Sequence, residues 1–206
     1  MLVRRALIAL CAMTLLPAAA LAQQLGPASR FMQQRNEEVN RILHRAANDD
    51  AARRQRSEQI THMLSDLLDY DELSRRALGD HWGEHNEGDR HQFITLLRQL
   101  VERNYENNLE RIVDFEVRYT GEAQQGDLVV VHTEARSRAQ RRQPPVAIDY
   151  TVRQVGQAWK VVDVTTDGVS LVSNYRTQFH RIISRDGWAE LIHRMQHRLE
   201  QGGTEG

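Results

Sequence analysis

The sequence predicts an α+β fold: helices covering one face of an antiparallel sheet of about four strands, with helices at both ends of the domain. Three observations carry this. Apolar residues recur with helical period as far as about Leu109, alternate with period two from Ile112 to Thr166, and return to helical period up to Leu199. The connections between the alternating segments are short, as in an antiparallel meander.

The chain has 206 residues, and its first stretch stands apart from the fold. Arg4 and Arg5 form a positive n-region, Ala6 to Leu16 is an apolar run too short to span a bilayer comfortably, and Pro17 breaks it. Ala20-Leu21-Ala22 is a small-x-small cleavage pattern, so residues 1–22 are expected to be a cleaved signal peptide and the protein periplasmic. An uncleaved anchor fits the short run less well. Cys11 follows Leu10, where a lipoprotein would carry a small residue. Residues 23–200 are expected to form one domain and 201–206 a disordered tail.

Cleavage removes Cys11, the only cysteine, and with it any disulfide, thiolate metal site or cysteine nucleophile. With Arg4 and Arg5 gone from the 27 basic residues, 25 face 28 acidic ones, a net charge of −3. That balance argues against a nucleic-acid partner.

The elements follow in order. Gln23 to Ser29 reads as a flexible lead-in. Phe31 to Ala47 carries Met32, Val39, Ile42, Leu43 and Ala46 on one stripe. Asp49 and Asp50 are plausible caps for a second helix, whose stripe is Ile60, Met63, Leu64, Leu67 and Leu68. A short helix spans about Asp71 to Leu78, with Gly79 placed to end it. A polar loop, Asp80 to Gly88, leads into a long helix from Asp89 to Leu109 that buries Phe93, Leu96, Leu97, Leu100 and Val101.

Val113, Phe115, Val117 and Tyr119 then alternate with Asp114, Glu116 and Arg118. Leu128 to Glu134 is the second strand, and Val146, Ile148, Tyr150 and Val152 mark the third. Trp159 to Thr166 is the fourth, joined through a tight Gly156-Gln157 turn. Two helices close the domain: Ser170 to Ser184, with Ser170 as N-cap, and Gly187 to Leu199.

Each residue type able to do chemistry also has a plainer role open to it. His81/His85 and His193/His197 have helical metal-ligand spacing, but no third ligand is evident, so both read as solvated pairs. Gly168-Val169-Ser170 lacks the closing glycine of a nucleophile elbow. Asp149 should face solvent by alternation. Asp163 lies on a strand with two apolar faces and is the best candidate for a buried general base. No catalytic or metal-binding residue is expected. Arg136, Arg138, Arg141 and Arg142, ahead of Pro144-Pro145, form a basic tip between the second and third strands. A solvated loop is the plainer reading; a contact for phosphate or an acidic surface is the other.

The segment from Trp159 to Phe179, WKVVDVTTDGVSLVSNYRTQF, resembles the signature of the Mla-type periplasmic phospholipid carriers, also called toluene-tolerance proteins. The match includes Gly168, Ser170, Leu171, Asn174, Tyr175, Arg176, Gln178 and Phe179. Tyr70-Asp71 with Arg76, Leu78, Gly79 and Trp82 is similar to a second family block, as are the spacing of Phe93, Leu97, Leu100, Val101 and Tyr105 and the strand Ile148-Asp149-Tyr150. Together the blocks span about Phe31 to Leu199. The basic tip and the acidic net charge depart from the family pattern.

The resemblance implies a curved sheet enclosing an internal lipid cavity. It implies a carrier shuttling phospholipid between an outer-membrane lipoprotein–porin complex and an inner-membrane ABC transporter, an auxiliary component that maintains outer-membrane lipid asymmetry. Phospholipid would be cargo, with no cofactor. A diacyl lipid carries on the order of 30 methylenes, each ~0.8 kcal/mol more stable out of water, so its tails must be hidden in transit. The implied lining is Leu97, Leu100, Phe115, Val117, Val131, Ile148, Tyr150, Val152, Val162, Val164, Tyr175 and Phe179, with Asn174 and Arg176 at the mouth or headgroup. The alternatives are a cystatin-like cone enzyme acting on a small apolar substrate through Asp163, and an adaptor with a filled core.

Overall fold

The computed structural model describes residues 25–46, 49–112 and 114–201, with 108–112 as backbone only. The expected signal peptide (1–22), Ala47, Val113 and residues 202–206 of the expected tail lie outside the described residues. Four helices come first: α1 (Pro27–Leu43), α2 (Asp50–Leu67), α3 (Tyr70–Leu78) and, after a 3-10 turn at Gly79–Glu84, α4 (Glu87–Ile112). The sheet follows as β1 (Phe115–Gln125), β2 (Leu128–Ser137), β3 (Val146–Val155), β4 (Ala158–Thr166) and β5 (Val169–Ser170). The helices α5 (Leu171–Asp186) and α6 (Trp188–Glu200) are the last described elements.

The fold is α+β, and every sheet neighbour is antiparallel in the order β1-β2-β3-β4-β5. Among the described residues there are five strands rather than about four. The fifth is a two-residue hairpin arm, too short to show alternation. Its turn, Asp167-Gly168, has φ of 47° and 82°. Both residues are left-handed, which is what a two-residue hairpin turn matching the sheet twist requires. The Asp-Gly pair was the available signal.

Several boundaries also shift. α1 starts at Pro27, whose fixed φ suits a first helical position, so the expected flexible lead-in is partly helix. The expected polar loop 80–88 is mostly 3-10 turn and the start of α4. Helix persists through Ile112, where strand was expected to begin. β1 runs beyond Tyr119 across a bulge at Tyr119/Gly121 that resets its alternation.

The caps follow local chemistry. Asp49 accepts from Ala52 N (2.7 Å) to start α2, and Asp69 from Glu72 N (3.1 Å) to start α3. Asp69 also takes both Nε and Nη2 of Arg153, at 2.8 and 2.5 Å, fastening the α2–α3 joint to β3. The first turn of α1 is capped from the sheet: Ser29 N donates to Glu122 Oε2 (2.7 Å) and Ser29 Oγ to the Gly121 carbonyl (3.2 Å).

Apolar burial divides into two main clusters. One joins α3, α4, α5 and α6 through Leu73, Leu78, Phe93, Leu97, Phe179 and Leu191. The other joins α1 to the sheet through Ala28, Met32, Val129, Val131, Val152 and Val161. A small third cluster, Ile42, Leu43 and Ile60, ties α1 to α2.

Candidate functional site

A cavity of about 540 Å³ lies between the helices and the sheet. From the helices it is lined by Leu64, Leu67 and Leu68 at the end of α2, Leu73 and Ala77 of α3, Leu97, Val101 and Tyr105 of α4, and Leu171, Val172 and Tyr175 of α5. From the sheet come Phe115, Val117, Ala135, Val146, Ile148, Tyr150, Val161 and Val164. Its polar lining is Asn36 and Asn40 of α1, Asn104 of α4 and Thr166 of β4, and no charged side chain takes part. Asn104, Thr166 and Leu171 are the exposed members and mark the mouth.

Protein interiors are close-packed, with few voids larger than a water molecule. Closed and dry, a cavity of this size would cost on the order of 10 kcal/mol, comparable to the whole stability of a domain. The space is therefore one that solvent or a ligand fills, and Asn104, Thr166 and Leu171 give it access to the surface. Its volume falls within the range of ligand pockets, about 300–1,000 Å³. Burial pushes the Tyr105 phenol up to about 12 and raises that of Tyr150 and Tyr175 as well, so all three stay neutral. Such a lining supplies apolar contact and neutral hydrogen-bonding groups.

Seven of the twelve residues expected to line a cavity do so: Leu97, Phe115, Val117, Ile148, Tyr150, Val164 and Tyr175. Five do not. Val131 and Val152 share the concave face but sit where α1 lands on the sheet, packed against Ala28 and Met32. Alternation specifies a face, not the position along the strand where a helix fills it. Val162 is fully buried outside the lining. A bulge opposite Thr151/Val152 pairs Val161 with Val152, and Val161 lines the cavity instead. Leu100 turns toward the helical cluster. Phe179 stands behind Tyr175, their rings stacked at 5.5 Å, and meets Phe93 edge-on at 5.4 Å.

The two expected mouth residues lie elsewhere. Asn174 accepts from Gln178 Nε2 on the outer face of α5 (3.1 Å). Arg176 Nε donates to the Arg76 carbonyl (2.8 Å) in the last turn of α3, where helical carbonyls run short of intrahelical donors. It packs over Gly79, where an added Cβ would sit 3.3 Å from Arg176 Nε; with φ of 56° that position strongly favours glycine. This part of the motif joins helices.

Asp163 accepts from Ser170 Oγ (2.6 Å), Val164 N (2.8 Å) and Val172 N (3.1 Å). Ser170 Oγ accepts in turn from Ser173 N (3.0 Å), its expected capping role. The carboxylate is thus committed to the β4–α5 connection. His81 and His85 are not solvated: their side chains are 13% and 15% exposed. The His81 ring meets His180 at 4.9 Å and His85 stacks on Trp188 at 3.7 Å. Among the described residues no group of three or more His, Cys, Asp or Glu side chains could hold a metal ion.

Residues 33–197 match the sequence model of the family described as MlaC protein. Among curated proteins, none matches this sequence. Among solved structures, the chain is similar to one titled as the phospholipid-binding protein from Ralstonia solanacearum in complex with a phospholipid. The TM-score is 0.70 at 22% identity, over 85% of this chain and 98% of that one. At that identity the likeness establishes the shared architecture.

Proposed function

The chain belongs to the MlaC family, and from that premise we propose that it is a phospholipid carrier that holds acyl chains between its sheet and helices. The observation that carries this reading is the apolar cavity of about 540 Å³, whose lining contains no charged side chain. Tails bind there by leaving water, and the headgroup remains at the exposed mouth. Binding of this kind accepts many headgroups, because no fixed charge selects one. The commitment of Asp163 to the α5 N-terminus favours a binding role over acid–base catalysis.

In the full proposal, residues 1–22 direct export and are removed, and the mature protein works in the periplasm. It moves phospholipid between an outer-membrane lipoprotein–porin complex and an inner-membrane ABC transporter, so maintaining outer-membrane lipid asymmetry. The test is organic-solvent extraction of the exported protein, purified without detergent, followed by mass spectrometry. Phospholipid should appear in near-stoichiometric amount, and the polypeptide should begin at Gln23. Protein that yields no lipid from any native preparation would overturn the carrier reading. An intact Met1 on exported material would overturn the export step alone.

A further inference from the structure

The end of the sheet that holds the cavity mouth also displays four arginines within seven residues. Ala135 pairs with Val146 at the last rung of β2–β3, and both line the cavity. Beyond them the chain turns through Arg136, Arg138, Arg141 and Arg142, all exposed, and no acidic residue occurs from Ala135 to Ile148. The loop is held in place: Arg138 N donates to the Asp114 carbonyl (2.7 Å), Gln140 N to Ser137 Oγ (3.1 Å) and Gln143 N to the Gln140 carbonyl (3.0 Å). Among the described residues none of the four arginines forms an ion pair. Glu116, opposite Arg136 in the register, is the nearest acidic position on β1.

A second feature lies at the same end. Asp167 N donates to the Ala147 carbonyl (2.9 Å) and Asp167 Oδ1 accepts from Ala147 N (3.0 Å), which seats the β4–β5 turn beside the start of β3. That turn presents Val169, 64% exposed, and leads to Leu171, 40% exposed, on the rim of the cavity. Apolar side chains are thus offered to solvent next to arginines that form no ion pair among the described residues, beside the exposed rim of the cavity.

We propose that the β2–β3 tip and Val169 form a docking surface for a bilayer containing anionic phospholipid, which brings the cavity mouth against the membrane. The inference rests on the carrier reading of the cavity. Guanidinium groups bind phosphate oxygens with paired hydrogen bonds, and clusters of four or more basic residues hold proteins to anionic lipid. Val169 would enter the interfacial region beside them. The rest of the molecule carries an acidic excess, since the whole chain has a net charge of −1. Anionic lipid would therefore attract this end and repel the remainder, orienting the protein mouth first.

Flotation of the lipid-loaded, exported protein with vesicles tests the proposal. One set contains phosphatidylglycerol mixed with phosphatidylcholine and the other phosphatidylcholine alone. The wild type should float with the first set and be released by salt. R136Q/R138Q/R141Q/R142Q should lose roughly tenfold or more of that binding, and Val169→Asn should lose part of it. Both variants should still yield phospholipid on extraction, because none of these residues lines the cavity. Equal binding to the two vesicle sets, or full binding by the four-arginine variant, would sink the proposal. So would a wild type that ignores vesicles while the variant loses transfer to membrane preparations, which would assign the arginines to an acidic protein surface. If no form of the protein yields phospholipid but the charge-dependent flotation persists, the carrier reading fails and the docking surface stands.

Discussion

At the scale of single residues, the joints of this fold depend on carboxylates placed against exposed backbone N–H groups or guanidinium pairs. Glu122 reaches from β1 to the first turn of α1, and Gly26 leaves it room: a Cβ there would lie 1.8 Å from the Glu122 carboxylate. Gly26→Ala should push that side chain off the helix terminus and destabilise the protein by about 0.5–2 kcal/mol, the usual cost of a lost cap. Glu122→Gln, which keeps an acceptor, should cost less. Denaturant melts of the two variants check the order, and equal losses would remove the cap from the explanation. Glu72 supplies a pH-dependent counterpart. Hydrogen bonds from Arg75 and then Arg76 hold its carboxyl down from 4.5 to about 2. A depressed folded pKa gives stability that is present above 4.5 and fades as pH falls toward 2. Arg75 is more than half exposed, so solvent screening leaves about 1 kcal/mol of this effect. The stability difference between pH 6 and pH 3 should shrink by that amount in Glu72→Gln, and an unchanged difference would mean the pair contributes nothing.

At the scale of elements, the order of helices and strands was legible because amphipathic period and turn chemistry are local properties. Asp49 and Ser170 as caps, Gly79 as a stop and the Gly156-Gln157 turn all act within a few residues of themselves. The depth of each strand residue was not legible. Val131 and Val152 have the same parity as Tyr150, yet α1 covers them and leaves Tyr150 on the cavity. Where α1 lands depends on Ser29 meeting Gly121 and Glu122, more than ninety positions away. The lining from α2 (Leu64, Leu67 and Leu68) was readable as an apolar stripe, but a stripe does not say whether it meets side chains or empty space. A pair of substitutions separates the two regions of the face. Val152→Trp should overpack a filled contact and destabilise by ~1–3 kcal/mol or more. Ile148→Trp has cavity to enter, and should leave the stability of stripped protein nearly unchanged while reducing the extracted phospholipid. Comparable destabilisation by both would mean that the region around Ile148 is as closely packed as that around Val152.

At the scale of the molecule, the cavity is a seam between two cores that meet through Leu68. The helical cluster rests on α3, α4, α5 and α6, and the other cluster on α1 and the sheet. Between them α2 has Ile60 as its only buried residue, and it lines the cavity with Leu64 and Leu67. An acyl chain in the seam would touch both cores and add apolar contact to Leu64 and Leu67 of α2. Two consequences follow. Loaded protein should melt above stripped protein, since a ligand bound only to the folded state stabilises it by about 2.7 kcal/mol at a hundred times its Kd. The gain should also be uneven. Segments with few buried contacts open locally at low free energy, so amide exchange in α2 should slow strongly on loading. Exchange in α4 around Phe93, fully buried in the helical cluster, should change little. Hydrogen-exchange mass spectrometry on the two forms measures both segments at once. Uniform protection across α2 and α4 would mean that the lipid stabilises the fold as one cooperative unit. Protection confined to α4 would place the cargo away from α2 and contradict the seam.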